Sequence, residues 1–410
     1  MVNEARERLA VNCVHGPTYD AAMEGEMRKE MLVFGAPMIE DAEVAEVVSV
    51  LQSGWLGTGP KVSAFEKAFA TYKGADYAVA LNSCTAALHL SILAAGIGPG
   101  DEVITTPLTF CATVNAIIHA GAVPVLADID PTSMNIDPGE VAKKITPKTK
   151  AILPVHFAGR PCDMDALCQI AKSHNLKIIE DCAHAIETEY RGRKAGTFGD
   201  FGCFSFYVTK NVATGEGGMV VTASKEDAAR IKMLALHGMS KDAWKRFGDE
   251  GYKHYQVLEC GFKYNMMDLQ AAIGIHQLQR VESSWYRRQE IWHRYNEAFA
   301  DLPITLPAQV EPDTRHAYHL YTIHLDKRRC GMGRDSFLDE MTALNIGVGV
   351  HYMSIPEHPY YQQKIGCRPE DYPHAMRIGR QTVSLPLSPK LSDSDSEDVI
   401  SAVYTALGKK

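Results

Sequence analysis

Short runs rich in valine and isoleucine recur along this chain with helical patterns between them, and this alternation constrains the fold more than any other feature. Residues 77–81, 103–106, 123–127, 152–157 and 176–180 read as strands, and residues 111–119 read as a helix. Strands this short and this apolar are buried on both faces. Strands separated by helices join through right-handed crossovers, which predicts an α/β fold around a mostly parallel sheet. Ahead of the first strand, Val44, Val47, Val48 and Leu51 follow helical spacing that Gly54 ends, and Phe65, Phe69 and Tyr72 mark a second amphipathic helix. After about residue 290 the pattern changes, and a closing helix runs through Val399, Ile400 and Val403. We expect an N-terminal extension over 1–30, partly ordered or mobile, a large domain over 31–288 and a smaller α/β domain over 289–410.

Sheets of this kind gather ligands at the carboxyl ends of their strands. Ser83, Phe110, Asp181 and Lys210 all fall at or just beyond such ends. A lysine held away from water is costly when charged, so its pKa falls and its amine attacks carbonyls, as Schiff-base chemistry requires. An acid at the end of a neighbouring strand keeps a pyridine nitrogen protonated and makes that ring an electron sink. Asp181 and Lys210 together suggest pyridoxal 5'-phosphate (PLP). A lysine after an aromatic-rich strand is, taken alone, usually a surface residue. Strand 77–81 runs into Asn82-Ser83-Cys84-Thr85 and an alanine-rich helix, the geometry in which backbone N–H groups hold a phosphate. The same residues serve equally as a plain N-cap.

Composition narrows the class. The chain has 410 residues, 46% hydrophobic and 22% charged, with a net charge of -8 and no polybasic run, which disfavours a nucleic-acid or anionic-membrane partner. Its ten cysteines form no CxxC pair and no zinc spacing, and read as reduced thiols. No stretch approaches the roughly 18 apolar residues of a membrane span, and residues 1–30 carry no secretory pattern. A cytoplasmic enzyme is expected.

Glu180-Asp181-Cys182-Ala183-His184-Ala185 and Ser205-Phe206-Tyr207-Val208-Thr209-Lys210-Asn211, with Gly215-Glu216-Gly217-Gly218, resemble the DegT/DnrJ/EryC1/StrS family of sugar aminotransferases. The resemblance spans roughly residues 31–405. It implies a fold-type I PLP transferase, with a seven-stranded sheet between helices and a smaller C-terminal domain. It implies that Lys210 holds PLP covalently, where the family's dehydratase offshoot has histidine. It further implies that Ser83, Cys84, Thr85 and Ser205 touch the phosphate, that Phe110 stacks on the ring, and that His184 packs by the ring's 3-hydroxyl. The loop at 57–62 is placed at the mouth of the site.

Two further segments carry substrate and partner expectations. Residues 236–247 contain His237, Trp244, Lys245 and Arg246, and are similar to a segment of enzymes that aminate nucleotide-linked 4-keto sugars; three cations and an aromatic suit a diphosphate and a base. The family commonly has G-Y-N-Y-R here, with the first Asn reaching the PLP phosphate of a neighbouring subunit; this chain has Lys263 at that position and Asn265 at the Arg position, and the resemblance implies a homodimer with shared sites. His319, His351 and Tyr361 are candidates for the cleft, and His156 is as readily structural as catalytic. The expected reaction moves an amino group from an amino acid such as L-glutamate to a nucleotide-linked keto-deoxy sugar. The rivals are other PLP chemistry of the family (dehydratase or aminohydroxybenzoate-type synthase), a non-enzymatic regulator that kept the fold, and a nucleotide-sugar reductase. No GxGxxG follows any strand to support the last.

Overall fold

The computed structural model describes residues 28–240 and 255–409. Its centre is a seven-stranded sheet whose strands, in chain order, are β1 (Tyr77–Leu81), β2 (Glu102–Thr105), β3 (Val123–Leu126), β4 (Thr149–Leu153), β5 (Lys177–Asp181), β6 (Phe201–Ser205) and β7 (Gly218–Thr222). The spatial order is β1-β7-β6-β5-β4-β2-β3. Only β7 runs antiparallel to its neighbours. The carboxyl ends of the other six strands therefore share one edge, and the start of β7 arrives at the same edge.

Period-two alternation divides the core between the two faces of the sheet. Val79, Leu81, Ile179, Phe201, Cys203 and Val220 face the helix Cys84–Ala94. Ala78, Ala80, Phe204, Phe206, Met219 and Val221 face the helix Pro60–Lys73. On that second face Phe65 meets Phe206 at 5.1 Å and Phe69 meets Phe204 at 5.0 Å between ring centroids. Each buried phenylalanine contributes about 1.5–3 kcal/mol relative to exposure. Ser205, between Phe204 and Phe206, is thereby turned to the opposite face.

One expected strand is corrected. The run at 152–157 is a strand only as far as Leu153, and Phe157–Gly159 is a 3-10 turn. Pro154 has no N–H to give the ladder, so the chain keeps only an isolated bridge from Val155 to Asp181 before it turns away. The helix at 111–119 and the C-capping Gly54, at φ 72°, are as expected.

A second core lies toward the carboxyl end. The antiparallel pair Tyr321–His324 and Thr382–Leu385 packs with Ile291, Trp292 and Tyr295 of the helix Val281–Ala298 and with Val399 and Val403 of the helix Asp393–Ala406. Leu32 joins this core, and Arg28 pairs with Asp395 and Asp398 at 2.6 and 2.8 Å. No helix among the described residues is long and apolar enough to cross a membrane.

Candidate active site

At the shared strand edge a cavity of about 500 Å³ opens, within the range of small-molecule sites. Asp181, the last residue of β5, and Lys210, five residues past the end of β6, both line it. The carboxylate is aimed by two hydrogen bonds: Thr113 Oγ1 donates to Oδ2 at 2.9 Å, and the Ala183 N–H donates to Oδ1 at 3.1 Å. Burial pushes the Asp181 carboxyl above its usual range, and these bonds with the Lys210 charge only partly hold it down. Asp181 makes no ion pair among the described residues.

Lys210 follows a turn closed by its own N–H on the Tyr207 carbonyl at 2.8 Å. Its neighbour Asn211 pins that turn, donating to Glu187 Oε2 at 2.8 Å and to the Ala317 carbonyl at 3.1 Å. The Lys210 amine makes no hydrogen bond or ion pair among the described residues. Burial lowers its pKa to about 8, against the attraction of Asp181. The nucleophile is the free amine, whose fraction rises with pH through that value. Capture of PLP by protein stripped of it should therefore accelerate with pH and level off just above pH 8. Rapid mixing followed by visible absorption reads the rate, and a rate still climbing at pH 10 would contradict the assignment.

The amino end of the helix Cys84–Ala94 forms another wall, through Ser83, Cys84 and Thr85. Ser83 Oγ accepts the Ala86 N–H at 3.1 Å, so it is a true N-cap, while the first turn still presents its remaining N–H groups to the cavity. Gly218, which opens β7, passes so close that a Cβ there would lie 2.3 Å from the Ser83 carbonyl. Only glycine permits that approach. Ser205 lines the cavity from the end of β6, as its alternation with the two phenylalanines requires. Phe110, the N-cap of the helix Cys111–His119, is 57% exposed. A phenylalanine with an open face on a polar-edged cavity is placed to cover a flat ring.

Behind the acid, Glu180 is wholly buried. It accepts N–H groups from Gly196, Phe198 and Gly199 at 2.7–2.8 Å and pairs with His156 Nε2 at 3.0 Å. Burial alone would raise its pKa, but these partners hold it below the usual range. His156 Nδ1 accepts the Cys162 N–H at 3.1 Å. The ring nitrogens of His156 and the oxygens of Glu180 are thus occupied within the protein, fixing the turn that leads into β6. His156 is structural.

His184 lines the cavity beside Asp181, and His351 and Tyr352 reach it from the carboxyl-terminal half. His351 Nδ1 contacts Ser384 Oγ at 2.8 Å, and burial with the Lys210 charge lowers its pKa to about 3. His319 stays behind, packed on the His184 ring at 4.5 Å with Nδ1 on Asn211 Oδ1, and Tyr361 donates to Asn115; neither lines the cavity.

Other expected residues are not brought together within one chain. His237 is exposed and outside the cavity lining, in a left-handed conformation at φ 59°. Lys263 is also exposed, bridged to Leu236, and Asn265 donates to Thr58 Oγ1 at 2.7 Å within its own chain. The loop at 57–62 does not line the cavity; Asp268 holds it, accepting the N–H groups of Gly59, Lys61 and Val62 at 2.8–3.1 Å. Trp244, Lys245 and Arg246 lie outside the described residues. Thr113 and Tyr352 are the functional candidates that sequence reasoning missed. Thr113 had a signal: it stands three residues past Phe110 on the same helix, hence on the same side.

The model of the DegT/DnrJ/EryC1/StrS aminotransferase family matches residues 37–404. The chain belongs to that family. SpsC, a spore coat polysaccharide biosynthesis protein of Bacillus subtilis, is 50% identical over 379 residues, covering 92% of this chain and 97% of its own. Spr1654 of Streptococcus pneumoniae in its PLP form superposes with a TM-score of 0.85 at 32% identity, over 92% of this chain and 99% of that one. PseC of Helicobacter pylori, an aminotransferase of pseudoaminic acid biosynthesis, gives a TM-score of 0.85 at 28% identity, over 92% and 100%. This family member is accordingly a PLP-dependent aminotransferase of the expected fold. The cavity fits that cofactor: among the described residues, an acid with no ion pair, an amine with no hydrogen bond, a helix end and an exposed aromatic ring surround it.

Proposed function

We propose that the protein moves an amino group from an amino acid, L-glutamate foremost, to a nucleotide-linked keto-deoxy sugar of the 4-keto-6-deoxy type. The product would be an amino sugar for surface polysaccharide, glycan or antibiotic. The observation that carries this is the pairing, in one cavity, of the under-compensated Asp181 with the unpartnered amine of Lys210. The sugar class is supported by the polysaccharide and pseudoaminic acid roles named for SpsC and PseC.

When bound, PLP supplies an electron sink for the pair left on a carbon that loses a proton. Around it Asp181 would keep a proton on the ring nitrogen, Ser83, Cys84, Thr85 and Ser205 would hold the phosphate, and Phe110 would cover the ring. Lys210 would serve first as the point of attachment and then as a free amine that takes the proton from the donor's α-carbon and holds it for return. The same Lys210 carries the proton in the opposite direction when the keto sugar enters, giving ping-pong kinetics. His351 at the cavity wall is assigned to the sugar nucleotide, as are His237, Trp244, Lys245 and Arg246 on the family resemblance of their segment.

The working unit in this reading is a homodimer. Val44, Val48, Leu51, Trp55 and Leu56 are 43–55% exposed along and just after one helix, a stripe that water would not favour. Lys263, unable to serve its own cavity, would then reach the partner's phosphate. Light scattering behind a sizing column should read two chains; a monomer at micromolar concentration removes the shared site. For the reaction, purified protein is incubated with glutamate and a panel of keto sugar nucleotides, and the aminated sugar is sought by mass spectrometry. Dehydrated or aromatised product instead of an amine would favour the family's other chemistry.

A further inference from the structure

A second chamber, of about 30 Å³, shares Thr209 and Lys210 with the main cavity and otherwise has walls of its own. That space admits about one or two water-sized particles. One wall is the helix Val281–Ala298, on which Ser284 and Arg288 stand one turn apart. Arg288 is 1% exposed, and its Nη2 donates to Glu187 Oε1. Its Nε and Nη1, equally buried, have no hydrogen-bond partner among the described residues. The N–H groups they carry can only donate. Leaving the donors of a buried charged group unmet is costly, so the chamber calls for an occupant that accepts.

Polar neighbours in the lining are already engaged. Asn211 has its oxygen on His319 Nδ1 at 2.9 Å, and its amide donates to Glu187 and to the Ala317 carbonyl. Ser388 Oγ donates to the Ala36 carbonyl and accepts the Lys390 N–H. The described lining includes Lys210, Arg280 and Arg288 but no aspartate or glutamate. The acids that counter these charges stand outside it, Glu187 on Arg288, and Glu43 and Glu40 on Arg280 at 2.5 and 3.2 Å. Water would accept from Arg288 but would bring hydrogens of its own into a cation-rich space. An anion only accepts.

We infer that this chamber is a binding site for a small, singly charged anion of chloride size, seated on Nε and Nη1 of Arg288. The bonds it accepts are charge-assisted, the stronger kind. The volume of the chamber sets the class of ligand, and the cations in its wall set the sign. Bound there, the ion ties the helix Val281–Ala298 to the turn at 209–211 that presents Lys210.

Crystals of the PLP-loaded protein soaked in sodium bromide should show an anomalous peak in this chamber, in contact with the Arg288 guanidinium. In solution, replacing gluconate, which is too bulky to enter, by chloride at constant ionic strength should raise the melting midpoint by about 2 °C, because an ion held only by the folded state stabilises it. Arg288→Met/Glu187→Gln removes both charges of the buried pair together and keeps an oxygen for Asn211. Its midpoint should be the same in both salts. If that variant does not fold, the bromide peak and the salt response of the wild type decide the matter. A chamber with no anomalous signal in bromide overturns the inference. A wild-type midpoint indifferent to chloride does so too, since any peak would then be an adventitious ion only. A chloride response kept by the double variant places the ion elsewhere and overturns the site. An equal rise with acetate puts a carboxylate in the chamber and overturns the halide assignment.

Discussion

Replacing Lys210 with alanine should leave a folded protein that binds PLP only noncovalently and turns over at least about a thousandfold more slowly. The amine makes no hydrogen bond or ion pair among the described residues and opens onto the cavity, so its loss takes little from the fold. Catalysis loses both the attachment point and the group that carries the proton between two carbons. Borohydride treatment followed by peptide mass spectrometry should find a reduced pyridoxyl group on the Lys210 peptide of the wild type and none in the variant. Full activity in Lys210→Ala would remove the mechanism.

Changing Asp181 to asparagine should have the second-largest effect. The amide keeps the volume and one accepting oxygen, so either the Thr113 hydroxyl or the Ala183 N–H still finds a partner. The negative charge disappears, and with it the reason for a pyridine nitrogen to stay protonated. PLP should still bind, while abstraction of the donor's α-proton slows by about a hundredfold or more. Exchange of the α-hydrogen of glutamate in deuterated water, followed by proton NMR, isolates that step. An unchanged exchange rate would show that the acid acts elsewhere.

A buried lysine is not in itself a reactive one, as Lys73 makes plain. It is 2% exposed, and burial lowers its pKa to about 8, as for Lys210. Its amine donates to the Ile186 carbonyl at 2.9 Å and sits 4.7 Å from the centre of the Phe204 ring, outside the cavity. Nothing in the sequence near residue 73 marks it as buried. What separates the two lysines is access to the cavity, which depends on where strand ends meet.

Features governed by neighbouring residues were legible without coordinates. Period two along Phe204-Ser205-Phe206 sends the rings to one face and the hydroxyl to the other. The alternation of strands and helices dictated a parallel sheet, and the strand ends located Asp181, Lys210 and the helix end at Ser83. Proline chemistry could have ended β4 at residue 153, but the apolar pattern through Phe157 concealed it.

Features that depend on partners distant in the chain were decided only by the tertiary structure. Thr113 aims Asp181 from 68 residues away, Asp268 caps a helix whose first N–H partner is 209 residues earlier, and Tyr352 meets His184 across 168 residues. The sequence by itself determined which chemistry stands at which strand end, because local periodicity sets the direction of each side chain. Folding alone decided which distant donors aim those groups, because a hydrogen bond needs atoms within about 3 Å, and no local pattern reports that separation.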